Sequence, residues 1–176
     1  MISIVYDHKR YHKALAEHIR PEDSVLEIGP HIGGSTKVIA EKAKEVVAVD
    51  KAKQSAEALQ ENPDIAFVKG DVRFFETIDD ILKIRKSFDV IAMDMGGGRF
   101  PDTVFKVWAV WSGIFKPRDS IIRNRGLGEF LMRAKVEDPV LEKEFVNNGW
   151  LTQSGRKHPK QLKEGLEELQ HWMKPR

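Results

Sequence analysis

The sequence has no cysteine, no apolar run of about 18 residues and no segment with the pattern of a signal peptide. The absence of cysteine excludes disulfides, thiolate metal sites and a cysteine nucleophile. The other two absences predict a cytoplasmic protein without membrane contact. What the chain does contain, 41% hydrophobic and 32% charged residues in 176 positions, is typical of a single globular domain.

Charge is divided unevenly along the chain. Residues 1–98 carry 14 basic and 17 acidic side chains, whereas residues 99–176 carry 15 basic and 10 acidic ones. A basic second half would attract a phosphorylated, carboxylated or nucleic-acid substrate, although such an excess more often forms only a solvated surface. Charge alone therefore indicates where an anion would be attracted, without assigning a function.

Residues 25–50 contain the stretch on which the functional interpretation depends. Residues 25–28 are a short apolar run of the kind found in buried parallel strands. Residues 29–34 are a glycine-rich turn, and Ser35 and Thr36 are predicted to cap the helix that follows, which runs to about residue 44. This first half of the stretch predicts a strand, a tight turn and a helix.

A second apolar run, residues 46–49, ends on Asp50 and completes the pattern. Strand, glycine turn, helix, strand and acid predict a nucleotide-binding βαβ unit, in which Asp50 accepts hydrogen bonds from ribose hydroxyls. A dinucleotide site would have the spacing G-x-G-x-x-G, but His31 stands where the second glycine would be. The acid Glu27 also precedes the turn, and it suits a cationic nucleotide better than a nicotinamide dinucleotide.

The stretch E-I-G-x-x-x-G-x-S-T at residues 27–36 resembles motif I of the class I S-adenosylmethionine (SAM)-dependent methyltransferases. Three more family signals follow in order: Asp50 about twenty residues on, G-D at residues 70–71, and F-D-V-I-x-x-D ending at Asp94. The resemblance extends over about residues 7–135. It implies an α/β fold, a doubly wound and mainly parallel sheet with helices on both faces, shortened at the C-terminal hairpin.

The domain organisation implied by the resemblance is one methyltransferase domain over residues 1–176. It divides into a covering helix at 7–19, a cofactor-binding half at 24–98 and a substrate-side half at 99–176. Residues 1–6 are predicted to be an edge strand or a covering arm. Further predicted strands are 65–68, 88–94 and 120–124, and further predicted helices are 51–61, 78–86, 101–115, 126–135, 140–148 and 159–173.

The resemblance implies SAM as the cofactor and assigns a set of residues to it. Asp71 and Val72 match the family positions that hold the adenine ring, although Asp71 at this place is also a candidate N-cap of the next helix. The residues predicted to bind the cofactor are Glu27, Gly29, Pro30, His31, Gly33, Ser35, Thr36, Asp50, Lys51, Asp71, Val72 and Asp94.

Methyl transfer from SAM is an in-line displacement, so the enzyme aligns the nucleophile, excludes water and removes a proton where the nucleophile carries one. Asp94 is the first candidate for the catalytic base or for orienting the nucleophile, and the alternative is a purely structural acid. His31, in the glycine turn, is the second catalytic candidate. The residues predicted to bind the substrate are Arg99, Arg123, Asn124 and Arg125.

The basic residues near the expected cleft predict a small, anionic acceptor. Alternatives are an RNA methyltransferase, a SAM-binding protein without catalysis and a nicotinamide-dependent dehydrogenase, the last disfavoured by His31 and Glu27. No metal site is predicted. A magnesium-dependent variant would use Asp94 and Asn124, but the neighbouring arginines disfavour a cation there.

Two further features leave alternatives open. His8 and His12 share a helix face at i and i+4, yet no third metal ligand accompanies them, so they are predicted to be exposed histidines. Phe105 or Trp111 would form a homodimer contact if it lay outside the apolar stripe of its helix, whose main role is predicted to be packing against the sheet.

Overall fold

The computed structural model describes residues 1–60, 62, 64–135 and 137. This part of the chain folds into one six-stranded sheet with helices on both faces. The strands are β1 (Ile2–Val5), β2 (Ser24–Ile28), β3 (Glu45–Asp50), β4 (Ile65–Lys69), β5 (Val90–Met93) and β6 (Asp119–Arg123). The helices are α1 (His8–His18), α2 (Gly34–Ala40), α3 (Lys53–Leu59), α4 (Phe75–Ile84), α5 (Pro101–Phe115) and α6 (Arg125–Arg133), with a short 3₁₀ turn at Gly96–Gly98.

The strand order is β1-β6-β5-β2-β3-β4, and every pair is parallel. From β2 the chain first proceeds through β3 to β4, and it then returns to place β5 on the other side of β2. Ile28, at the end of β2, is in register with Val49 of β3 and Met93 of β5. A crevice forms outside the carboxyl ends of strands at such a reversal, which is where doubly wound sheets bind ligands.

Apolar side chains cover both faces of the sheet, as the continuous hydrophobic runs in the strands predict. On one face α4 and α5 pack through Ile78, Trp111 and Phe115, all of which are fully buried. On the other face α1 and α2 pack through residues such as Leu15 and Ile39. The two layers fix the carboxyl edge of the sheet as a rigid platform for the site.

The predicted fold class is confirmed, and the elements predicted within residues 1–135 are present with small shifts at their ends. Residues 1–6 contain the edge strand rather than a covering arm, because β1 pairs with β6. Helix α4 begins at Phe75, earlier than predicted, since Phe75 packs against the core. Helix α5 has the predicted bounds, and Trp111 lies inside its packed face, so it is not available for a dimer contact.

The predicted caps of α2 are wrong. The helix begins after Gly33, whose φ of 87° is left-handed, and no side chain caps it. Ser35 and Thr36 lie inside the first turn and are buried against the sheet. The helix ends at Ala40 rather than near residue 44 because the chain turns at residues 41–42 before β3.

The predictions for residues 138–176, including both later helices and the shortened hairpin, fall outside the described residues. Among the helices that are described, none has the length and apolar character needed to cross a membrane.

Candidate cofactor and acceptor site

A cavity of about 790 Å³ opens at the carboxyl edge of the sheet, above the ends of β2, β3, β4 and β5. This volume lies in the range of pockets that enclose small-molecule cofactors. Most of the residues predicted to form the site line it. They are Gly29, Pro30, His31, Ser35, Asp50, Lys51, Asp71, Val72, Asp94, Arg99 and Arg123.

The glycine turn is held tightly between two neighbouring strand ends. The amide of Gly29 donates to the carbonyl of Val49 at 3.0 Å, and the amide of Asp94 donates to the carbonyl of Ile28 at 2.9 Å. Gly29 has a φ of 83°, and a Cβ at this position would overlap the carbonyl oxygen of Asp94. Only glycine therefore allows the turn after β2 to pass so close to the end of β5.

Glu27, which is predicted to bind the cofactor, lies beneath the turn rather than in the cavity wall. Its carboxyl group is 1% exposed and accepts a hydrogen bond from the hydroxyl of Ser35, a residue that does line the cavity. Burial raises the pKa of Glu27 to about 7, against the opposing effect of the Ser35 hydrogen bond. Gly33 and Thr36 also lie outside the cavity wall, because the first shapes the turn and the second faces the core.

Asp50, at the end of β3, is oriented by three neighbours. Its carboxylate accepts hydrogen bonds from the hydroxyl of Ser55 at 2.8 Å, the amide of Ala52 at 3.0 Å and the amide of His31 at 3.4 Å. The Ser55 and Ala52 bonds hold the acid at the start of α3, facing the cavity. His31 has its main chain on this β3 side of the turn, two strands away from Asp94.

Asp71, predicted to hold adenine, is engaged with its own chain neighbours. Its carboxylate accepts hydrogen bonds from Nε of Arg73 at 2.7 Å and from the Arg73 amide at 3.2 Å, and Lys51 approaches at 3.4 Å. Burial alone would raise the pKa of Asp71, but the guanidinium of Arg73 leaves it below the usual value. Asp71 does not cap α4, whose N-cap is Phe74. Its side chain lines the cavity as part of an ion pair.

Asp94 and Arg123 form an ion pair at the ends of adjacent strands. Nη1 of Arg123 lies 2.8 Å and 2.7 Å from the two carboxylate oxygens of Asp94. The two side chains are only 14% and 13% exposed, so water screens the pair weakly. Nε of Arg123 is buried and has no hydrogen-bond partner among the described residues. This arrangement fixes the Asp94 carboxylate at the cavity wall beside a positive charge.

The side chain of Asn124, which is predicted to bind the substrate, is engaged in contacts within the fold. The side chain is fully buried. Its oxygen accepts the amide of Leu127 at 2.9 Å and caps α6, while its amide group donates to the carbonyl of Arg99 at 2.8 Å. Both polar ends are therefore already used, and none of the described residues forms a group of three or more acidic or histidine side chains suited to a metal ion.

Arg125 lies outside the cavity and contributes to a second, shallower depression of about 540 Å³. Asp7, His8, Lys9, Arg10 and Arg123 complete its wall, and His8 and Arg123 line both spaces.

Sequence reasoning missed His8, along with Gln54, Phe100 and Thr103 in the main cavity. Only the pairing of β1 with β6 brings the start of α1 to this edge, and no local pattern in residues 1–12 indicates that pairing.

Comparison with known protein families identifies the family of this chain. Residues 8–108, more than half of the chain, match the FtsJ-like methyltransferases. The chain belongs to the FtsJ-like methyltransferase family. The predicted resemblance to SAM-dependent methyltransferases is thereby confirmed, with SAM as the cofactor. No curated protein matches the sequence.

Solved structures resemble this FtsJ-like chain at low identity. A dimethyladenosine transferase from Plasmodium falciparum is 17% identical with a TM-score of 0.52, covering 86% of this chain and 51% of that one. The YcgJ protein from Bacillus subtilis is 20% identical with a TM-score of 0.46, covering 61% and 46%. An rRNA methylase from Streptococcus thermophilus is 17% identical with a TM-score of 0.39, covering 51% and 54%. The chain thus spans about half the length of these structures.

The residues present in this FtsJ-like site fit SAM. Asp50 and Asp94 follow β3 and β5, with β2 between them, so their strands are roughly 9–10 Å apart. Because the sulfonium is bonded to the ribose C5′, a gap of this width leaves room for the ribose beside Asp50 and for the methyl group with its acceptor on the side of Asp94. The tight Gly29 turn lies between the two acids and leaves the backbone open to close approach.

Proposed function

We propose that this FtsJ-like methyltransferase transfers the methyl group of SAM directly to an anionic acceptor. The observation that carries the proposal is the basic rim on the Asp94 side of the cavity, where Arg99 and Arg123 line the wall and Arg125 lies just outside it. A negatively charged acceptor would be drawn to this side, whereas the acids at the ends of β3 and β4 suit the adenosine.

The proposed position of SAM follows from the chemistry of the wall. Asp50 binds the ribose, since its carboxylate is held facing the cavity by Ser55 and Ala52. The adenine lies near Asp71 and Val72, with Asp71 keeping its bond to Arg73. Glu27 acts on the cationic end through Ser35 rather than by contact. The methyl group then points toward Asp94 and the acceptor entrance.

Once bound, SAM supplies an electrophilic methyl carbon and a good leaving group, so no covalent enzyme intermediate is required. The residues of this chain orient the acceptor and exclude water. Asp94 is fixed by Arg123, which makes it an orienting acceptor of a hydrogen bond from the nucleophile. His31 is a weaker candidate for proton removal, because its main chain contacts Asp50 at the ribose end.

The proposal is tested by methyl transfer from radiolabelled SAM to phosphorylated and carboxylated metabolites, with neutral analogues of each as controls. We expect label in the anionic members of each pair. Asp94→Asn should lower transfer at least about tenfold through loss of a charge-assisted hydrogen bond, while SAM affinity by calorimetry changes little. Equal labelling of neutral and anionic partners would contradict the anionic preference.

RNA is the second candidate acceptor, and exposed aromatic side chains at the entrance favour it. Phe100 is 57% exposed with the guanidinium of Arg99 at 5.6 Å from its ring centroid. Tyr6 is 39% exposed with the guanidinium of Arg125 at 5.4 Å. Aromatic rings and arginine planes of this kind stack on unpaired bases. Incubation with transfer RNA and ribosomal RNA fragments at several salt concentrations would distinguish this acceptor from a small molecule.

A further inference from the structure

The second depression differs from the cofactor cavity in the character of its wall. All six residues that line it are ionisable, and four of them are lysine or arginine against one acid. It lies where β1 and β6 end side by side, with Val5 in register with Arg123. A surface with this excess of positive charge attracts anions.

The cations of the depression are not all neutralised by neighbours. Arg10 pairs with Asp7 at 3.1 Å, and Arg123 pairs with Asp94. By contrast, Lys9 and Arg125 have no ion pair among the described residues, and the guanidinium of Arg125 lies 5.4 Å from the centre of the Tyr6 ring. These two exposed side chains therefore keep hydrogen-bond donors and positive charge that no residue of the described chain uses.

Two helices begin at this place and add to the positive potential. Helix α1 starts at His8 just after β1, and α6 starts at Arg125 just after β6. The N-terminal end of each helix carries a partial positive charge. Asp7 uses the Arg10 amide at the start of α1, so the side chains of Lys9 and Arg125 are the main free donors.

The depression adjoins the cofactor cavity. His8 and Arg123 line both the depression and the cavity. The Asp94 carboxylate, which is paired with Arg123, lines only the cavity. A group anchored in the depression would therefore hold an attached nucleophile at the entrance of the cavity, on the side of Asp94 rather than of Asp50.

We propose that the depression binds a phosphate group of the methyl acceptor, with Lys9 and Arg125 as its principal donors. The inference rests on the proposed function, since it takes the bound anion to belong to the acceptor. Lys9 lies in α1 and Arg125 begins α6, so two elements supply donors, and the several acceptor oxygens of a phosphate can use both. A phosphomonoester of a small molecule and a phosphodiester of RNA share this chemistry.

The test measures binding of inorganic pyrophosphate by calorimetry at low ionic strength, with S-adenosylhomocysteine present to fill the cofactor cavity. Lys9→Ala and Arg125→Ala should each weaken pyrophosphate binding about tenfold, because each removes a charge-assisted contact. Lys86→Ala is the matched control: it removes an exposed charge just before β5, at the opposite edge of the sheet, and should leave binding unchanged. All three substitutions are at exposed positions and should leave SAM affinity unchanged.

The outcomes separate this inference from the proposed function. The phosphate site is overturned if pyrophosphate binding is weakened equally in the three variants or in none of them. It is also overturned if acetate binds the parent protein as tightly as pyrophosphate does. Loss of pyrophosphate binding only in the Lys9 and Arg125 variants supports it, whether or not a methyl acceptor has been found. Failure of SAM to bind the parent protein would remove the proposed function while leaving the anion site intact.

Two further arms distinguish the sources of the phosphate. If the site takes a phosphodiester, a 12-nucleotide single-stranded RNA should bind much more tightly than uridine monophosphate. The salt dependence of RNA binding should also fall by about one ion in Arg125→Ala. Equal affinity for the mononucleotide and the RNA, with the same loss in both variants, supports a small phosphorylated acceptor. Binding of both the RNA and the mononucleotide that is unaffected by the two substitutions overturns the site.

Discussion

The buried carboxyl group of Glu27 makes the stability of the protein depend on pH. Burial raises its pKa from 4.5 to about 7, so the folded chain retains a proton that the unfolded chain has already released. Stability contributed in this way is present at low pH and falls as the pH rises from about 4.5 toward 7. The difference corresponds to about 3 kcal/mol of unfolding free energy above pH 7.

Glu27→Gln tests this reasoning, because glutamine keeps a hydrogen bond to Ser35 but cannot ionise. At pH 5 the parent and the variant should have similar unfolding free energies. At pH 8 the variant should be the more stable one by about 2–3 kcal/mol, since it avoids a charged group that is 1% exposed. Urea unfolding followed by tryptophan fluorescence at pH 5, 6, 7 and 8 gives the difference directly.

The control is Glu41→Gln, which changes a glutamate that is exposed at the end of α2. Its unfolding free energy should follow that of the parent within about 0.5 kcal/mol at each pH. If the Glu27 and Glu41 variants kept the same offset from the parent at every pH, the carboxyl group of Glu27 would not be the titrating group. If Glu27→Gln were less stable than the parent protein at pH 8, the argument from burial of the Glu27 carboxyl group would be refuted.

Three other substitutions test the site. Asp50→Ala should weaken SAM binding by about 1–3 kcal/mol in calorimetry, because the proposed ribose hydrogen bonds are lost. Gly29→Ala should lower the unfolding free energy by about 2–3 kcal/mol, since its φ of 83° and the nearby Asp94 carbonyl leave no room for a methyl group. Arg123→Met should lower it by about 2–4 kcal/mol in urea titrations, because a largely buried Asp94 carboxylate loses its partner.

Each of these has a matched control elsewhere in the chain. Asp79→Ala removes an exposed acid of α4 and should not change SAM affinity. Gly34→Ala places a methyl group in open space at the start of α2 and should be neutral or stabilising. Arg133→Met changes an exposed arginine of α6 and should have little effect. A control that matched its test variant would show that the contact named for that site is not responsible.

The fold and the position of the site could be predicted from sequence because both depend on local patterns. Apolar runs that end on Asp50 and Asp94 indicate parallel strands, and acids after such strands must meet at one edge of the sheet. The glycines of the turn mark the close approach between β2 and β5. These signals need no knowledge of which strands are neighbours.

The contacts within the site could not be predicted, since they depend on strand order and on competition between partners. Arg123 was expected to meet a substrate, but the adjacency of β5 and β6 gives it Asp94 as a partner. Asn124 has the sequence position of a cleft residue, yet the start of α6 requires a cap there. Ser35 looked like a helix cap and is instead the hydrogen-bond donor to a buried acid.

The contact between the Gly29 turn and the end of β5 has a mechanical consequence. In the proposed arrangement the turn faces the methyl donor and Asp94 faces the acceptor, and the two segments are joined by a backbone hydrogen bond and by close packing. A displacement of one is therefore transmitted to the other through main-chain atoms alone. If the donor and the acceptor bind as proposed, a substitution that widened the turn would disturb the binding of both at once.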